Sequence, residues 1–369
     1  MGNFVSVLTY ESNQNIQGFE HLDEHVMKKE FQFETIPVVA FKTDHIKDII
    51  IFNDLLKEYL IDMIKKFDIV HITHPMRMGI VVKICKDLHI PTVLTITDNW
   101  LLCPQRLLTK DLKLCDGPNE GRRCMSICNY DEKILSRYKD AKFLFDNVDK
   151  IFAGCEFLQE SFQLNEWKKE INLNTFSMDY SYVKPEKEPD KIVFSFIGSL
   201  TWEKGAHVLI NAFKKNENKN IKLKIYGSGV EGDFTTARLL QLAKDDKRIE
   251  FCGTFNYEDL PTIMSDISVV VIPSTYKEIY PLVMQIGLAY RKPIIASRIG
   301  GLPEAVKNGI NGYLFDIGNV DQLAKIIAEI SANPDLIVKL KQNITDPPRV
   351  EEEALKYECV YNELLFRRH

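Results

Sequence analysis

A lysine and a glutamate in the second half of the chain have the types and the surroundings that suit binding of a phosphorylated ligand. Lys204 lies in the segment FIGSLTWEKG at residues 196–205, here called the lysine segment. A glycine turn lets backbone approach a ligand, and a lysine at the start of a helix meets a phosphate as a point charge. An exposed lysine at such a position is, on its own, also typical of a plain solvated surface.

Glu278 lies in the segment PSTYKEIYPLV at residues 273–283, the glutamate segment. Pro281 suits the first position of a helix, where the free N–H groups of the following residues, from Leu282 onward, attract an anion. A glutamate before a helix is also explained by the helix dipole alone.

A third segment is rich in glycine and follows a short apolar run. It reads IIASRIGGLPE at residues 294–304, the glycine segment, and is followed by NGINGYLF at residues 308–315. Glycine-rich turns alone indicate only tight connections.

The elements that position these segments alternate between short β-branched runs and longer stretches of helical period, which is typical of βαβ units around a parallel sheet. The runs lead to Gly, Ser, Thr or Pro at their carboxyl ends, including Gly198, Gly227 and Thr254, and ligands of open α/β sheets bind there. The predicted strands of the second half are 192–197, 223–226, 249–252, 268–272 and 293–297.

The first half repeats this alternation less regularly. Its predicted strands are 4–9, 35–41, 68–73, 92–97 and 150–153. A helix is predicted before the third strand, with a stripe that we interpret as the core face of a crossover helix rather than as a membrane-surface face. The stripe consists of Phe52, Leu55, Leu56, Tyr59, Leu60, Met63, Ile64 and Phe67.

A chain of 369 residues is long enough for two domains. The polar stretch 180–191 carries two prolines and no apolar period, so we expect an interdomain linker there. We predict a first domain at 1–185, a second at 186–345, and a C-terminal helical segment at 346–369 that caps the second domain or crosses back to the first.

Composition excludes several classes of protein. The chain is 45% hydrophobic and 27% charged, with a formal net charge of −5 and no block of like charges, so we expect no nucleic-acid partner. No apolar run approaches the length of about 18 residues that a spanning helix needs. The start of the sequence lacks the basic and apolar regions of a secretory signal, so we expect a cytoplasmic protein.

In their order and spacing, the three segments resemble the retaining glycosyltransferases of family 4, the glycosyl transferases group 1, over about residues 192–330. The resemblance implies a GT-B fold, in which two Rossmann-like, doubly wound α/β domains face a cleft. It also implies a nucleotide-sugar donor, UDP- or GDP-linked, in the second domain, a glycan or lipid-linked acceptor at the first, and no cofactor or catalytic metal.

Within that resemblance, Glu278 corresponds to the glutamate that binds hydroxyls of the transferred sugar, and Lys204 to a lysine that meets the diphosphate. The backbone after Glu278 is expected to cradle the diphosphate. The donor site implied by the resemblance consists of Gly198, Ser199, Lys204, Gly227, Thr254, Glu278, Tyr280, Pro281 and Leu282.

The first half carries a looser resemblance, to a branch that includes transferases of bacterial exopolysaccharide and surface-glycan assembly. Residues 67–74 resemble a strand that ends in a histidine near the cleft, and residues 97–104 resemble a segment that usually reads His-Asp-Tyr-Trp. His71 and His74 both fit the first pattern. Each also fits a buried, hydrogen-bonded histidine without a role in binding.

The sequence departs from the family pattern at several points. The usual histidine is Thr97, an expected arginine is Ser199, and the second glutamate expected eight residues after Glu278 is Ile286. In the family, that glutamate accepts hydrogen bonds from the ribose hydroxyls. Loss of hydrogen bonds to a charged group costs about 1.5–3 kcal/mol of binding free energy. Gln285 is the nearest polar side chain, though it lies about 100° away around the helix.

An opening βαβ unit of about 30 residues is also missing from the pattern, so that residues 4–9 resemble the second strand or take the central place themselves. These departures support a competing interpretation, in which the chain is a catalytically impaired GT-B scaffold that assists an active partner transferase. Peripheral association with the inner face of a membrane is compatible with either interpretation.

Four of the eight cysteines fall between residues 103 and 128: Cys103, Cys115, Cys124 and Cys128. The last two have a spacing compatible with zinc, but the longer gaps before them match no standard zinc knuckle. We expect free thiols in a loop, with a structural zinc as the alternative. Arg122 and Arg123 beside them fit either contacts to an anionic acceptor or ordinary solvated charges.

Overall fold

The computed structural model describes residues 4–10, 18–22, 26–43, 54–106, 109–110, 113–180, 191–229 and 233–367. Of the stretch expected to be a linker, residues 181–190 lie outside this described part. In the first half, strands of the structure coincide with the predicted strands 68–73, 92–97 and 150–153. In the second half, all five predicted strands coincide with strands of the structure.

The first domain contains two four-stranded sheets and a short ribbon. Its first sheet has the order β1-β4-β3-β2, with β1 and β4 parallel and the other pairs antiparallel. The structure places β1 at one edge of this sheet, not in a central place. These strands are β1 (Val7–Tyr10), β2 (Glu20–His21), β3 (Val26–Phe33) and β4 (Ile36–Thr43).

The second sheet of this domain is parallel and has the order β10-β9-β6-β5. The ribbon pairs two antiparallel two-residue strands. The strands are β5 (Val70–Ile72), β6 (Thr92–Ile96), β7 (Thr109–Lys110), β8 (Lys113–Leu114), β9 (Lys150–Ala153) and β10 (Asn172–Leu173). Every residue of β6 is buried, as expected for a strand covered on both faces.

The helices of this domain are α1 (Asp54–Ile64), α2 (Gly79–Asp87), α3 (Arg122–Cys128), α4 (Lys133–Asn147) and α5 (Glu156–Leu164). The predicted core face of α1 is confirmed, because Leu56, Leu60 and Ile64 are buried in one cluster with Phe41 of β4.

The second domain is a six-stranded parallel sheet with the order β13-β12-β11-β14-β15-β16. Its strands are β11 (Ile192–Ile197), β12 (Ile221–Tyr226), β13 (Ile249–Gly253), β14 (Val269–Ile272), β15 (Ile294–Ser297) and β16 (Gly312–Phe315). From β11 the chain adds β12 and β13 on one side, and it then adds β14, β15 and β16 on the other side. Such a reversal of the strand order is characteristic of a doubly wound fold. The topological switch point therefore lies between β11 and β14.

Helices pack on both faces of this sheet. They are α6 (Ala206–Lys214), α7 (Thr235–Ala243), α8 (Leu260–Ser265), α9 (Leu282–Ala289), α10 (Leu302–Ala305), α11 (Val320–Ala332) and α12 (Asp335–Gln342). The last helix, α13 (Val350–Phe366), packs on the first domain, where Leu364 joins a buried cluster with Val93 and Phe152. In the described part of the chain, no helix combines the length and the apolar character needed to cross a membrane.

Candidate functional site

The three segments identified in the sequence meet at the carboxyl ends of β11, β14 and β15, on both sides of the switch point. Close backbone contacts hold them together, and two glycines permit these contacts. At Gly205, with φ of 77°, an added Cβ would lie 1.8 Å from the carbonyl oxygen of Pro273, and at Gly300, with φ of 59°, it would lie 1.9 Å from that of Glu278. Any side chain at either position would force the segments apart.

The carboxylate of Glu278 is the centre of this site. The residue is 4% exposed, and three side chains donate to its two oxygens. Oε1 accepts from Lys204 Nζ at 2.8 Å and from Ser274 Oγ at 2.7 Å, while Oε2 accepts from Tyr276 OH at 2.6 Å. A buried carboxylate requires such partners, because desolvation of an unpaired charge costs several kcal/mol.

Lys204 lies in a short 3₁₀ turn, Trp202–Lys204, that directly precedes Gly205 and α6. Its ammonium also donates to Tyr276 OH at 2.8 Å and lies 5.1 Å from the centre of that ring. Burial raises the pKa of Tyr276 far above its ordinary value, and the neighbouring Glu278 carboxylate raises it further, so the phenol remains a neutral donor. Lys204 is therefore engaged by two groups of the glutamate segment rather than being a plain solvated lysine.

The helix expected after Glu278 is present but begins one residue later than predicted. Pro281 is the N-cap, with ψ of 138°, and α9 starts at Leu282. The ring fixes φ, but ψ here is extended, so the first helical turn belongs to residues 282–285. The first N–H groups of the helix still lack partners within it, and Leu282 at the helix start is 61% exposed.

Ile286 follows one turn after Leu282 and is partly buried, packing against the apolar cluster of the second domain that includes Tyr226 and Ile272. Gln285 is fully buried, and neither atom of its amide has a hydrogen-bond partner among the described residues. Since Gln285 is closed off from solvent, it is not open to the cleft in this structure.

The remaining residues of the implied donor site lie in turns at the same sheet edge. The N–H of Gly198 donates to the carbonyl of Tyr226 at 3.1 Å, and the N–H of Gly227 donates to that of Gly253 at 2.8 Å. These bonds stack the turns after β11, β12 and β13 side by side. Ser199 and Thr254 are exposed on those turns.

The two histidines of the first domain have different surroundings. His71 Nε2 lies 2.7 Å from Thr95 Oγ1, and Nδ1 contacts the hydroxyl of Tyr361 in α13. Burial lowers the pKa of His71 to about 4, so the ring is neutral. His71 thus has the buried, hydrogen-bonded surroundings of the structural interpretation.

His74 is more open and lies beside residues of the segment that follows β6. Its Nε2 is 3.7 Å from Asp98 Oδ2, and its ring lies 5.9 Å from that of Trp100. Asp98 Oδ1 accepts the N–H of Trp100 at 2.8 Å. Thr97, in the place of the usual histidine, is partly buried at the end of β6.

The two domains touch through residues of the glutamate and glycine segments. Tyr280 packs against the buried cores of both domains. Lys277 Nζ donates to the carbonyl of Cys115 at 2.9 Å, and Glu304 accepts from the N–H groups of Glu156 and Phe157, at 2.8 and 2.6 Å, at the start of α5.

Sequence reasoning did not single out Ser274, Tyr276, Lys277 or Glu304. The first three stand in the glutamate segment, within four residues of Glu278, and their spacing was the available signal. Nothing in the local pattern connected Glu304 to a helix of the other domain, since the partners are 148 residues apart in the chain.

Known proteins resemble this chain in sequence and in fold. Residues 181–346 match the family model described as Glycosyl transferases group 1. Over 180 residues the chain is 33% identical to an uncharacterised glycosyltransferase of Methanocaldococcus jannaschii, in an alignment that covers 48% of this chain and 43% of that protein. The chain thus spans about half the length of the curated relatives it matches.

Solved structures resemble the whole chain at low identity. HepE of Anabaena, in complex with UDP and glucose, superposes with a TM-score of 0.67 and 18% identity, covering 88% of this chain and 86% of that one. A sucrose-phosphate synthase of Thermosynechococcus elongatus gives 0.70 and 17%, covering 99% and 90%. These likenesses confirm the predicted two-domain α/β architecture. The chain has the GT-B fold, and residues 181–346 in its second domain match the model of the glycosyl transferases group 1.

Proposed function

We propose that this chain transfers a sugar from a nucleoside-diphosphate donor to a glycan or lipid-linked acceptor, with retention of configuration at the sugar. The observation that carries the proposal is the buried Glu278 carboxylate, held by Lys204, Ser274 and Tyr276 at the switch point of the second domain. Ligands of open α/β sheets bind in that crevice.

The donor's diphosphate would lie between Lys204 and the start of α9. The N–H groups of a helix start and the helix dipole both favour an anion. The Lys204 ammonium has three N–H groups and donates to Glu278 and Tyr276, so one N–H would point at phosphate while two hold its position. HepE holds UDP in its solved complexes, which makes UDP the first nucleotide to test here.

In the proposed reaction the acceptor hydroxyl oxygen bonds to the anomeric carbon from the face that the diphosphate leaves. The bond from that carbon to the diphosphate breaks, and the hydroxyl proton passes to the departing phosphate oxygen. Lys204 and the helix dipole would stabilise the negative charge that grows on the leaving group, and this stabilisation is preorganised because the ammonium is fixed before the donor binds. Glu278 would accept hydroxyls of the sugar and orient it. His74 and Asp98 would face the acceptor from the first domain, and we assign no general base.

Calorimetric titration with UDP, GDP and ADP tests the donor site. We expect at least one nucleotide to bind, and Lys204→Ala to weaken that binding about tenfold or more, since a hydrogen bond to a charged group contributes about 1.5–3 kcal/mol. Lys222→Ala, which removes an exposed lysine of β12 in the same domain, should leave affinity unchanged.

Lys204→Ala also removes a partner of the buried Glu278, so the folded state of the variant must be checked by thermal unfolding. Lys204→Gln keeps a donor without the charge and serves as the second variant. Failure of all three nucleotides to bind the folded wild-type chain would contradict the proposal.

A second candidate function is a GT-B scaffold that binds a partner transferase and lacks turnover of its own. Ile286 favours it, because its packing against the apolar cluster gives the ribose hydroxyls no acceptor at the expected position. Release of nucleoside diphosphate from UDP- and GDP-sugars separates the two: an active enzyme releases it slowly even to water, and a scaffold does not. Under either proposal, we place the chain in the cytoplasm. If its acceptor is lipid-linked, we place it at the inner face of the membrane.

A further inference from the structure

The loop between β6 and α4 brings together four cysteines that the sequence keeps well apart. Cys103, Cys115, Cys124 and Cys128 come from three separate stretches of this loop and line one cavity of about 20 Å³. The rest of its lining includes Leu102, Pro118, Ile127 and Tyr130. All eight cysteines of the chain are thiols in the structure, so no disulfide accounts for the gathering.

Two of the four cysteines share a helix, and a third has a backbone N–H beside its sulfur. Cys124 and Cys128 are four residues apart in α3, so their side chains lie on one face of that helix. Cys124 is 8% exposed, and the N–H of Gly117 points at Cys115 Sγ at 3.4 Å. Hydrogen bonds to the ligands from outside a metal site orient those ligands.

We propose that these four cysteines bind one Zn²⁺ ion as thiolates. A set of four sulfur ligands is typical of zinc or of an iron–sulfur cluster. A cavity of about 20 Å³ has room for about one water-sized particle, so a single ion fits it and a cluster of several irons and sulfides does not.

Across the described part of the chain, no three His, Cys, Asp or Glu side chains are arranged as a finished metal site. The four thiols therefore surround the cavity in an open arrangement that must contract around the ion. Rotation about χ1 moves a cysteine sulfur by about 3 Å between rotamers, and Cys103 and Cys115 lie in irregular backbone. Contraction to Zn–S distances of about 2.3 Å thus needs side-chain rotation and small loop shifts.

The ion would also fix one contact between the domains. Lys277 of the second domain donates to the backbone carbonyl of Cys115, and Lys277 is the neighbour of Glu278 in the chain. A metal bound to Cys115 would hold that carbonyl in place. The zinc proposal itself rests on the loop alone and does not depend on the proposed function.

The test is elemental analysis of the full chain, purified under reducing conditions without chelator and then dialysed with a small excess of ZnCl₂. We expect about one zinc per chain in the wild type and at most about a tenth of that in Cys124→Ser. Cys359→Ser, which changes an exposed cysteine of α13, is the matched control and should keep its zinc. Replacement by Co²⁺ should give the intense visible absorption of tetrahedral thiolate coordination.

Because Cys124 is buried, its substitution risks unfolding the loop. Cys115→Ser changes a partly exposed position, and its circular dichroism should match the wild type while its zinc content falls as in Cys124→Ser. A folded wild-type chain that retains no zinc overturns the proposal. Equal zinc in the wild type and in both loop variants also overturns it, as does protein that contains iron and sulfide.

Discussion

Ile286 occupies the position at which the family resemblance expects a carboxylate for the ribose hydroxyls. It follows one turn after the exposed Leu282 and is only partly buried, so this face of α9 is open at its start. We expect Ile286→Glu to fold and to tighten nucleotide binding about tenfold, or 1.4 kcal/mol, by restoring an acceptor. Calorimetry with the nucleotide that binds most tightly of the three measures this change in affinity.

Ile286→Leu is the control, because it changes the side chain without adding an acceptor, and its affinity should equal that of the wild type. If Ile286→Glu instead lowers stability by several kcal/mol, the residue belongs to the core, as a buried unpaired carboxylate would then be the cause. In that case, the proposed position of the glutamate segment at the cleft would be wrong.

At the scale of single residues, the sequence singled out Lys204 and Glu278 as candidates but did not predict that they bind each other. The two are 74 positions apart, and their contact depends on close backbone approaches at Gly205 and Gly300. Such approaches involve atoms of distant segments, so no local pattern of side chains reports them.

Helix α13 and the β5 strand meet through aromatic and imidazole rings. The His71 ring lies 4.8 Å from that of Tyr357 and 5.8 Å from that of Tyr361. Because burial lowers the pKa of His71 to about 4, the folded chain binds no proton there between about pH 6.5 and 4, while the unfolded chain does. Stability is therefore lost as the pH falls through that window, by about 3 kcal/mol in total.

His71→Gln should remove this part of the pH dependence while lowering the stability at neutral pH, where its ring contacts are lost. Thermal unfolding at half-unit steps from pH 7.5 to 4.5 measures the slope. His89→Asn removes an exposed imidazole from a left-handed backbone position, with φ of 55°, that asparagine tolerates, and it should keep the wild-type slope. A wild-type slope in His71→Gln would show that other groups cause the pH dependence.

At the scale of elements, patterns with strong periodicity were predicted well. The strands buried on both faces and the core face of α1 follow directly from apolar runs and spacing. The hairpin of β3 and β4 was predicted only in its second half, because β3 reads VMKKEFQF and is exposed along its last four residues. A polar strand that pairs antiparallel at the side of a domain has no apolar run to reveal it.

At the scale of the whole molecule, sequence reasoning did not predict which side chains connect the two domains. The sequence predicted a two-domain fold, and the resemblance predicted a donor site in the second domain. Neither indicates which side chains cross the cleft, since Tyr280, Lys277 and Glu304 are ordinary residues of local turns. Only the packed structure brings them to the first domain.

Glu304 offers the sharpest test of that contact, because its carboxylate caps a helix of the other domain. It accepts two N–H groups in the first turn of α5, where the helix dipole favours a negative charge. Burial raises the pKa of Glu304, and the two N–H bonds to its carboxylate oppose that rise. The cap is strongest when the carboxyl is ionised, because the helix dipole favours a negative charge there. Loss of a helix cap costs about 1 kcal/mol, which changes an equilibrium between closed and open domains about fivefold.

We therefore expect Glu304→Ala to enlarge the radius of gyration of the nucleotide-free chain in solution scattering, and saturating nucleotide to reverse part of the change. Glu160→Ala removes an exposed carboxylate of the same helix α5 and should scatter like the wild type. Identical scattering from the wild type and both variants would mean that the cap does not hold the domains together.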